Sequence, residues 1–397
     1  MGASFIPSIL PGFHKRAAPP SLDVVVAGYL GVDLTPRFPA DRRAASLGEL
    51  FRPGTLIQTR GLNISLGGAV ANTGFALMKF GRRVEFMGCV GHDTLGDMVR
   101  ALLSARGVQG RIRGHNKAGT AYGVVLAPPG ADRLFLEDPG CNATFGAADI
   151  DFNVVRRSRL FHFGYPPLMQ RLWRNEGAEL KKMLARIRSL GVTTSVDMAL
   201  PDADSPAGKA DWRAILREIL PHVDIFVPSL EEIMFMLDPA CYARIRRSLD
   251  GGDIIEAIPS ETIFRLGNTI LQMGVKVAMI KASHRGAYIF TREVTGLDTS
   301  LAIKLPVANW SHRCFRAYPC STDRRRMRNA NGAGDCAVAG FLAALLSGKE
   351  IERAAQYAMR AGRDNLYGID ACSSLSDWTS MTRQIERTRL PKYPPLS

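Results

Sequence analysis

The stretch N-A-N-G-A-G-D-C-A-V-A-G-F-L-A-A-L-L-S-G, residues 329 to 348, sets minimal side chains and an aspartate before an almost wholly apolar helix. Gly332, Ala333 and Gly334 let backbone approach a ligand closely, and Asp335 is carried into the first helical turn. A helix start presents unpaired N–H groups and the positive end of a dipole, so it favours anions. An aspartate also has a plainer use there, as a cap or first-turn charge. The same residues satisfy G-x-G-x-x-A, the loose dinucleotide fingerprint, through Gly332, Gly334 and Ala337. That fingerprint needs a buried strand immediately before it. The preceding S-T-D-R-R-R-M-R is no such strand, and no G-x-x-x-x-G-K-[ST] loop occurs anywhere in the chain. A dehydrogenase and a P-loop enzyme are both set aside.

Outward from this stretch, strand and helix alternate. L-D-V-V-V-A-G-Y at 22–29 is an apolar run of buried-strand length, ending in G-Y-L-G-V-D with Asp33 just past the strand. S-L-G-G-A-V-A-N-T-G-F opens a helix predicted to run to about Phe80, and the strand V-E-F-M-G-C-V follows. R-L-F-H-F-G, V-T-T-S-V-D, V-D-I-F-V-P and V-A-M-I-K-A are short apolar strands separated by helical periodicity. Such alternation predicts a mostly parallel sheet covered on both faces, a three-layer α/β sandwich. Two groups of alternating residues, about 36–65 (including L-I-Q-T-R) and 110–137, do not fit that sheet and are assigned to a small β-sheet lid. Ligands gather at the carboxyl ends of parallel strands. Asp33, Gly164, Asp197, Pro228 and Lys281 all fall along that rim. Residues 1–20 read as a flexible tail, 21–385 as one domain, and 386–397 as a C-terminal tail.

The totals narrow the class. Hydrophobic residues make up 46% of the 397, which suits a large globular core. The formal charge of +14 raises nucleic acid as a partner, but the arginines are dispersed and no basic stripe interleaves with aromatics. Seven scattered cysteines without a C-x-x-C pair suit a reducing, cytoplasmic setting, with Cys314 and Cys320 read as free thiols. No histidine pairing supports a metal cage, and no apolar run is long enough to span a bilayer. The N-terminal segment has its basic residues after its apolar part, the wrong order for a secretory signal. No nucleic-acid or membrane partner is expected.

Five segments in order, G-Y-L-G-V-D, L-G-G-A-V-A-N, G-C-V-G-H-D-T-L-G, P-G-C-N and N-A-N-G-A-G-D, resemble the signatures of the PfkB, or ribokinase-like, carbohydrate kinases. The likeness runs from about residue 22 to about 380. It implies a ribokinase-like α/β fold with a β-lid, and transfer of the ATP γ-phosphoryl group to a hydroxyl, usually of a sugar. By that resemblance Asp335 is the catalytic base, and Gly332, Ala333 and Gly334 are the anion hole. Asp33, Gly67, Gly68 and Asn72 bind the sugar. Glu231 stands for the acid of an N-x-x-E segment that organises Mg²⁺ through water. Lys281 and Gly286 belong to the nucleotide-phosphate turn. The resemblance also allows a homodimer formed through the lid.

Phosphoryl transfer asks for positioning, a metal, donors aimed at phosphate oxygens and a group that orients the nucleophile. A carboxylate at a helix start meets that need, and a lid would exclude water. Some positions depart from the family pattern. Asn329 and Ala330 stand where Asp-Thr is usual, Asn331 where Thr is common, Pro228 where N-x-x-E has its Asn, and Ser283 where glycine is frequent. The first group makes stimulation by K⁺ doubtful. The expected activity is that of an ATP- and Mg²⁺-dependent sugar kinase. A nucleoside kinase, or a binding or regulatory protein that kept the fold and lost turnover, are the alternatives.

Overall fold

A computed structural model of the protein describes residues 20–43, 47–130, 134–249, 252–328 and 330–393. The expected N-terminal tail, apart from Pro20, lies outside the described residues. The described strands are β1 (Leu22–Gly28), β2 (Gly31–Pro36), β3 (Leu62–Gly67), β4 (Val84–Gly91), β5 (Arg111–His115), β6 (Ala121–Leu126), β7 (Leu134–Asp138), β8 (Ser158–Gly164), β9 (Thr193–Val196), β10 (Ile225–Phe226), β11 (Val277–Lys281), β12 (Ala287–Thr291) and β13 (Cys314–Ala317). Nine of them form one sheet in the order β13-β12-β11-β10-β9-β8-β1-β4-β5, and the other four form a separate sheet, β3-β2-β6-β7. From β5 through β11 every pairing in the large sheet is parallel; β12 and β13 are added antiparallel.

Alternation along the central strands makes the three layers. Val25 and Ala27 on β1, with Phe161 and Phe163 on β8, face a core that includes Leu180, Leu184, Leu216 and Ile233 from helices on one side. Val24, Val26 and Leu160 face the opposite core, built on the helices Ala333–Leu346 and Ile351–Asn365. Strands buried on both faces must be apolar throughout, which is why these runs carry little alternation in sequence. The 333–346 helix is buried from Asp335 to Leu346, so its missing polar face reflects a position between the sheet and a second helix.

Some boundaries differ from the sequence reading. Asp33 is inside the lid strand β2, not just past β1, and the lid begins at Gly31 rather than near 36. β5 pairs in parallel with β4 and closes the edge of the large sheet, so the lid draws only β6 and β7 from the 110–137 group. L-I-Q-T-R at 56–60 forms no strand. Residues after 386 do not hang free as far as they are described. Tyr393 stacks on Phe315 at the far edge of the sheet, with ring centroids 5.0 Å apart and planes 5° from parallel.

Candidate active site

The site forms where the start of the 333–346 helix meets the carboxyl ends of β8 to β11 and the base of the lid. Gly332 caps that helix in the left-handed region, with φ of 76°. A side chain there would be strained and would reach within 2.6 Å of the Ala371 Cβ. Gly334 differs. A Cβ built there would meet Lys281 only at ordinary contact, 3.7 Å from its Cδ and Cε. The protein's own packing therefore does not demand glycine at 334, and the bare backbone leaves room over the first-turn N–H groups. That cradle fits a phosphate group.

Asp335 is 4% exposed and is held from two other parts of the chain. Asn72 donates to its Oδ2 at 3.0 Å, Thr73 donates to its Oδ1 at 3.3 Å, and the Tyr165 hydroxyl donates to the same Oδ1. Asn72 and Thr73 sit in the helix Ala69–Lys79, whose entry turns on Gly68 at φ 86°. A Cβ at Gly68 would lie 2.4 Å from the Tyr29 carbonyl oxygen, so the turn requires glycine. Asn72 was expected to read substrate hydroxyls; the structure joins one of its N–H groups to the aspartate. Thr73 and Tyr165 were not anticipated. Both come from segments read only as helix and strand end, and nothing local in sequence marks them.

Asp33 accepts a hydrogen bond from Asn331 Nδ2 at 2.7 Å. A Cβ at Gly67 would fall 2.3 Å from the Asp33 carboxylate, so Gly67 makes room for that group. Burial pushes the Asp33 carboxyl up to about 6; Glu137 and Asp335 push the same way, and the Asn331 bond opposes them. Across the site, Lys281 Nζ donates to both oxygens of Asp197 at 2.5 and 2.7 Å. Desolvation works against the Lys281 ammonium, but Asp197, Glu232 and Asp335 outweigh it and hold it above the ordinary lysine value. A buried ammonium among carboxylates stays charged. Beside it, Gly286 has φ of 87° and Ser283 has φ of 48°, so the turn keeps a left-handed step without its usual glycine.

The acid assignment needs correction by one residue. Glu231 turns outward, accepting from the Tyr242 hydroxyl at 2.9 Å and pairing with Arg246 at 3.8 Å. Glu232 is the carboxylate whose charge acts on Lys281, Asp197 and Tyr165. It also closes a capping box with Ser229, accepting from the Ser229 N–H at 2.7 Å. Counted back from Glu232, the residue in the place of the family's Asn is Ser229 rather than Pro228. Among the described residues no group of three or more His, Cys, Asp or Glu could hold a metal ion by itself. A hard cation that keeps most of its water and shares ligands with phosphates needs no such group.

A large, mostly parallel sheet with a separate small sheet thus frames a cleft in which a buried carboxylate lies beside a helix start and a fixed ammonium. The pfkB family carbohydrate kinase model matches residues 38–366, and the chain belongs to that family. As a member it is a sugar kinase, a phosphotransferase that acts on an alcohol. An uncharacterized sugar kinase from Archaeoglobus fulgidus is 26% identical over 280 residues, 70% of this chain and 88% of that protein. A probable fructokinase-4 from Arabidopsis thaliana is 26% identical over 233 residues, 58% of this chain and 64% of that protein. A ribokinase from Arabidopsis thaliana, solved with ribose and ATP, superposes with a TM-score of 0.66 at 18% identity, covering 92% of this chain and 99% of that one. At that identity the superposition speaks to the fold.

Proposed function

We propose that this chain transfers the γ-phosphoryl group of ATP to a hydroxyl of a small sugar, with Asp335 as the base that receives the hydroxyl proton. The observation that carries this is the Asp335 carboxylate, buried, held by Asn72, Thr73 and Tyr165, and set beside the cradle of Gly332, Ala333 and Gly334. Bound ATP would supply the phosphoryl group and Mg²⁺ would offset its charge. Asp335 holds the attacking hydroxyl in line and takes its proton, while the first-turn N–H groups face the oxygens that gain charge. Lys281, fixed by Asp197, contributes a positive charge on the phosphate side. Glu232 would orient water around the cation, and Gly286 and Ser283 would shape the turn near the nucleotide. Asp33, Gly67 and Gly68 form the sugar side, with Asn72 between sugar and base.

K⁺ has little to bind in this reading. Asn331 donates from its side-chain amide to Asp33, and its backbone carbonyl oxygen accepts from Asn365 Nδ2 at 2.9 Å. Asn329 lies outside the described residues. The scattered cysteines, with no C-x-x-C pair, support work in a reducing, cytoplasmic compartment. No described helix is long and apolar enough to cross a membrane.

Asp335→Asn tests the reading. The variant should keep its fold and its affinity for ATP and lose about 10² or more in kcat, the scale of a positioned acid–base group. Near-normal turnover by a folded variant would remove Asp335 from the chemistry. Binding of ATP and sugar by the wild type without turnover would favour a regulatory protein that kept the fold.

A further inference from the structure

We infer that Glu137 is a second sugar-reading residue, and that together with Asp33 it restricts the acceptor to polyols that carry no negative charge. The inference rests on the sugar-kinase reading and names the substrate class of that same site.

The lid's register brings the two acids into one row. Asp33 on β2 pairs with Gly123 on β6, and Gly123 pairs with Glu137 on β7. Directly paired residues share a face of the sheet, so Asp33, Gly123 and Glu137 all point to the same side. The residue between the two acids has no side chain. A Cβ built on Gly123 would come 3.4 Å from Asp33 Oδ1, so the Asp33 carboxylate already reaches over that gap toward Glu137. Tyr29, in the turn between β1 and β2, closes the row at its other end. Its hydroxyl donates to the Asp138 carbonyl oxygen at 3.5 Å and interacts with the Glu137 carboxylate next to it. Gly67 borders Asp33 on the body side, so the row opens onto the place assigned to the sugar.

The charges around this row share one sign. Those acting on Asp33 are Glu137 and Asp335, and those acting on Tyr29 are Glu137, Asp33 and Asp138. Neutral hydroxyls donate to carboxylates in strong, charge-assisted bonds, and an ammonium does so more strongly still. A phosphate or carboxylate on the acceptor would be set against two like charges, one on the half-buried Asp33 and one on the exposed Glu137. Repulsion of that kind gives specificity without added attraction for the correct ligand. The acceptor class is a free sugar or amino sugar, and sugar phosphates and sugar acids are excluded.

Equilibrium titration calorimetry at pH 7.5 reads this without depending on turnover. The probes are D-ribose, D-fructose and D-glucosamine against fructose 6-phosphate and gluconate. Wild-type protein is expected to bind a neutral or amino sugar at least a hundredfold more tightly than either anion. Glu137→Gln should weaken the preferred sugar about tenfold while circular dichroism and ATP binding are unchanged. Glu137→Arg should shift the preference toward the anions. Comparable binding of the anions by wild type, or unchanged affinities in Glu137→Gln, would overturn the inference. Sugar binding with the expected selectivity but no phosphoryl transfer would support Glu137 and sink the kinase reading alone. No binding by any probe would overturn both.

Discussion

At the scale of single residues, Asp33 carries a measurable signature. Its carboxyl titrates near 6 because burial and the charges of Glu137 and Asp335 disfavour ionisation, and the Asn331 bond only partly offsets them. Sugar hydroxyls donate to the ionised form, so affinity should be full above that value and fall as pH drops through it. KM for the sugar is expected to rise about tenfold between pH 7 and pH 5, since below its pKa an acid's ionised fraction falls about tenfold per unit. Asp33→Asn should flatten that profile while raising KM throughout, and a profile that keeps its slope would assign the titration elsewhere. A second comparison separates the adjacent glutamates. Glu232→Gln should cost about tenfold or more in activity and raise the Mg²⁺ requirement, in keeping with groups that orient metal-bound water. Glu231→Gln, which loses only bonds to Tyr242 and Arg246 at the surface, should leave both nearly unchanged. The reverse ranking would restore Glu231. The one-residue error has a physical reason: P-S-L-E-E offers two acids in the first turn of one helix, about a hundred degrees apart. Only the packing of that helix decides which faces the cleft.

At the scale of elements, the 333–346 helix connects fold to site. Gly340 allows it to approach the Ile351–Asn365 helix closely, since a Cβ there would lie 2.6 Å from the Tyr357 carbonyl oxygen and 2.9 Å from the Ala361 Cβ. Gly340→Ala would gain up to about 1 kcal/mol in helix propensity. Overpacking a tight contact costs about 1–3 kcal/mol, so the net effect should be destabilising. The melting temperature is expected to fall, with activity lost as well if the helix start shifts. A raised melting temperature would contradict the close approach. The apolar strands and the glycine turns were legible because buried parallel strands and left-handed turns constrain residue type. The pairing of β5 was not, because the alternation in R-I-R at 111–113 suits an edge strand of either sheet. Nor were the contacts on Asp335, which span 170 residues to Tyr165 and 263 to Asn72. Periodicity gives each element a face but not the neighbour that covers it.

At the scale of the whole molecule, the outer face of the lid is apolar. Leu62, Ile64, Leu134 and Leu136 are 51%, 41%, 42% and 52% exposed, on the face opposite Asp33 and Glu137. Exposed apolar side chains on one face of a sheet suit an interaction surface. A homodimer through the lids is the proposed use, and sedimentation should show a dimer that Ile64→Asp with Leu136→Asp converts to a monomer. A wild-type monomer would refute it. The central claim is that lid, cradle and Asp335 together make a sugar kinase, and ADP release measured with and without a panel of free sugars tests it most directly. With Mg²⁺ and ATP alone, release should stay near background, because water is a poor occupant of the hydroxyl position beside Asp335. Addition of the correct sugar should raise release at least a hundredfold, with sugar phosphate formed one for one. Release that is independent of every sugar, or no release when both ATP and a sugar are bound, would contradict it.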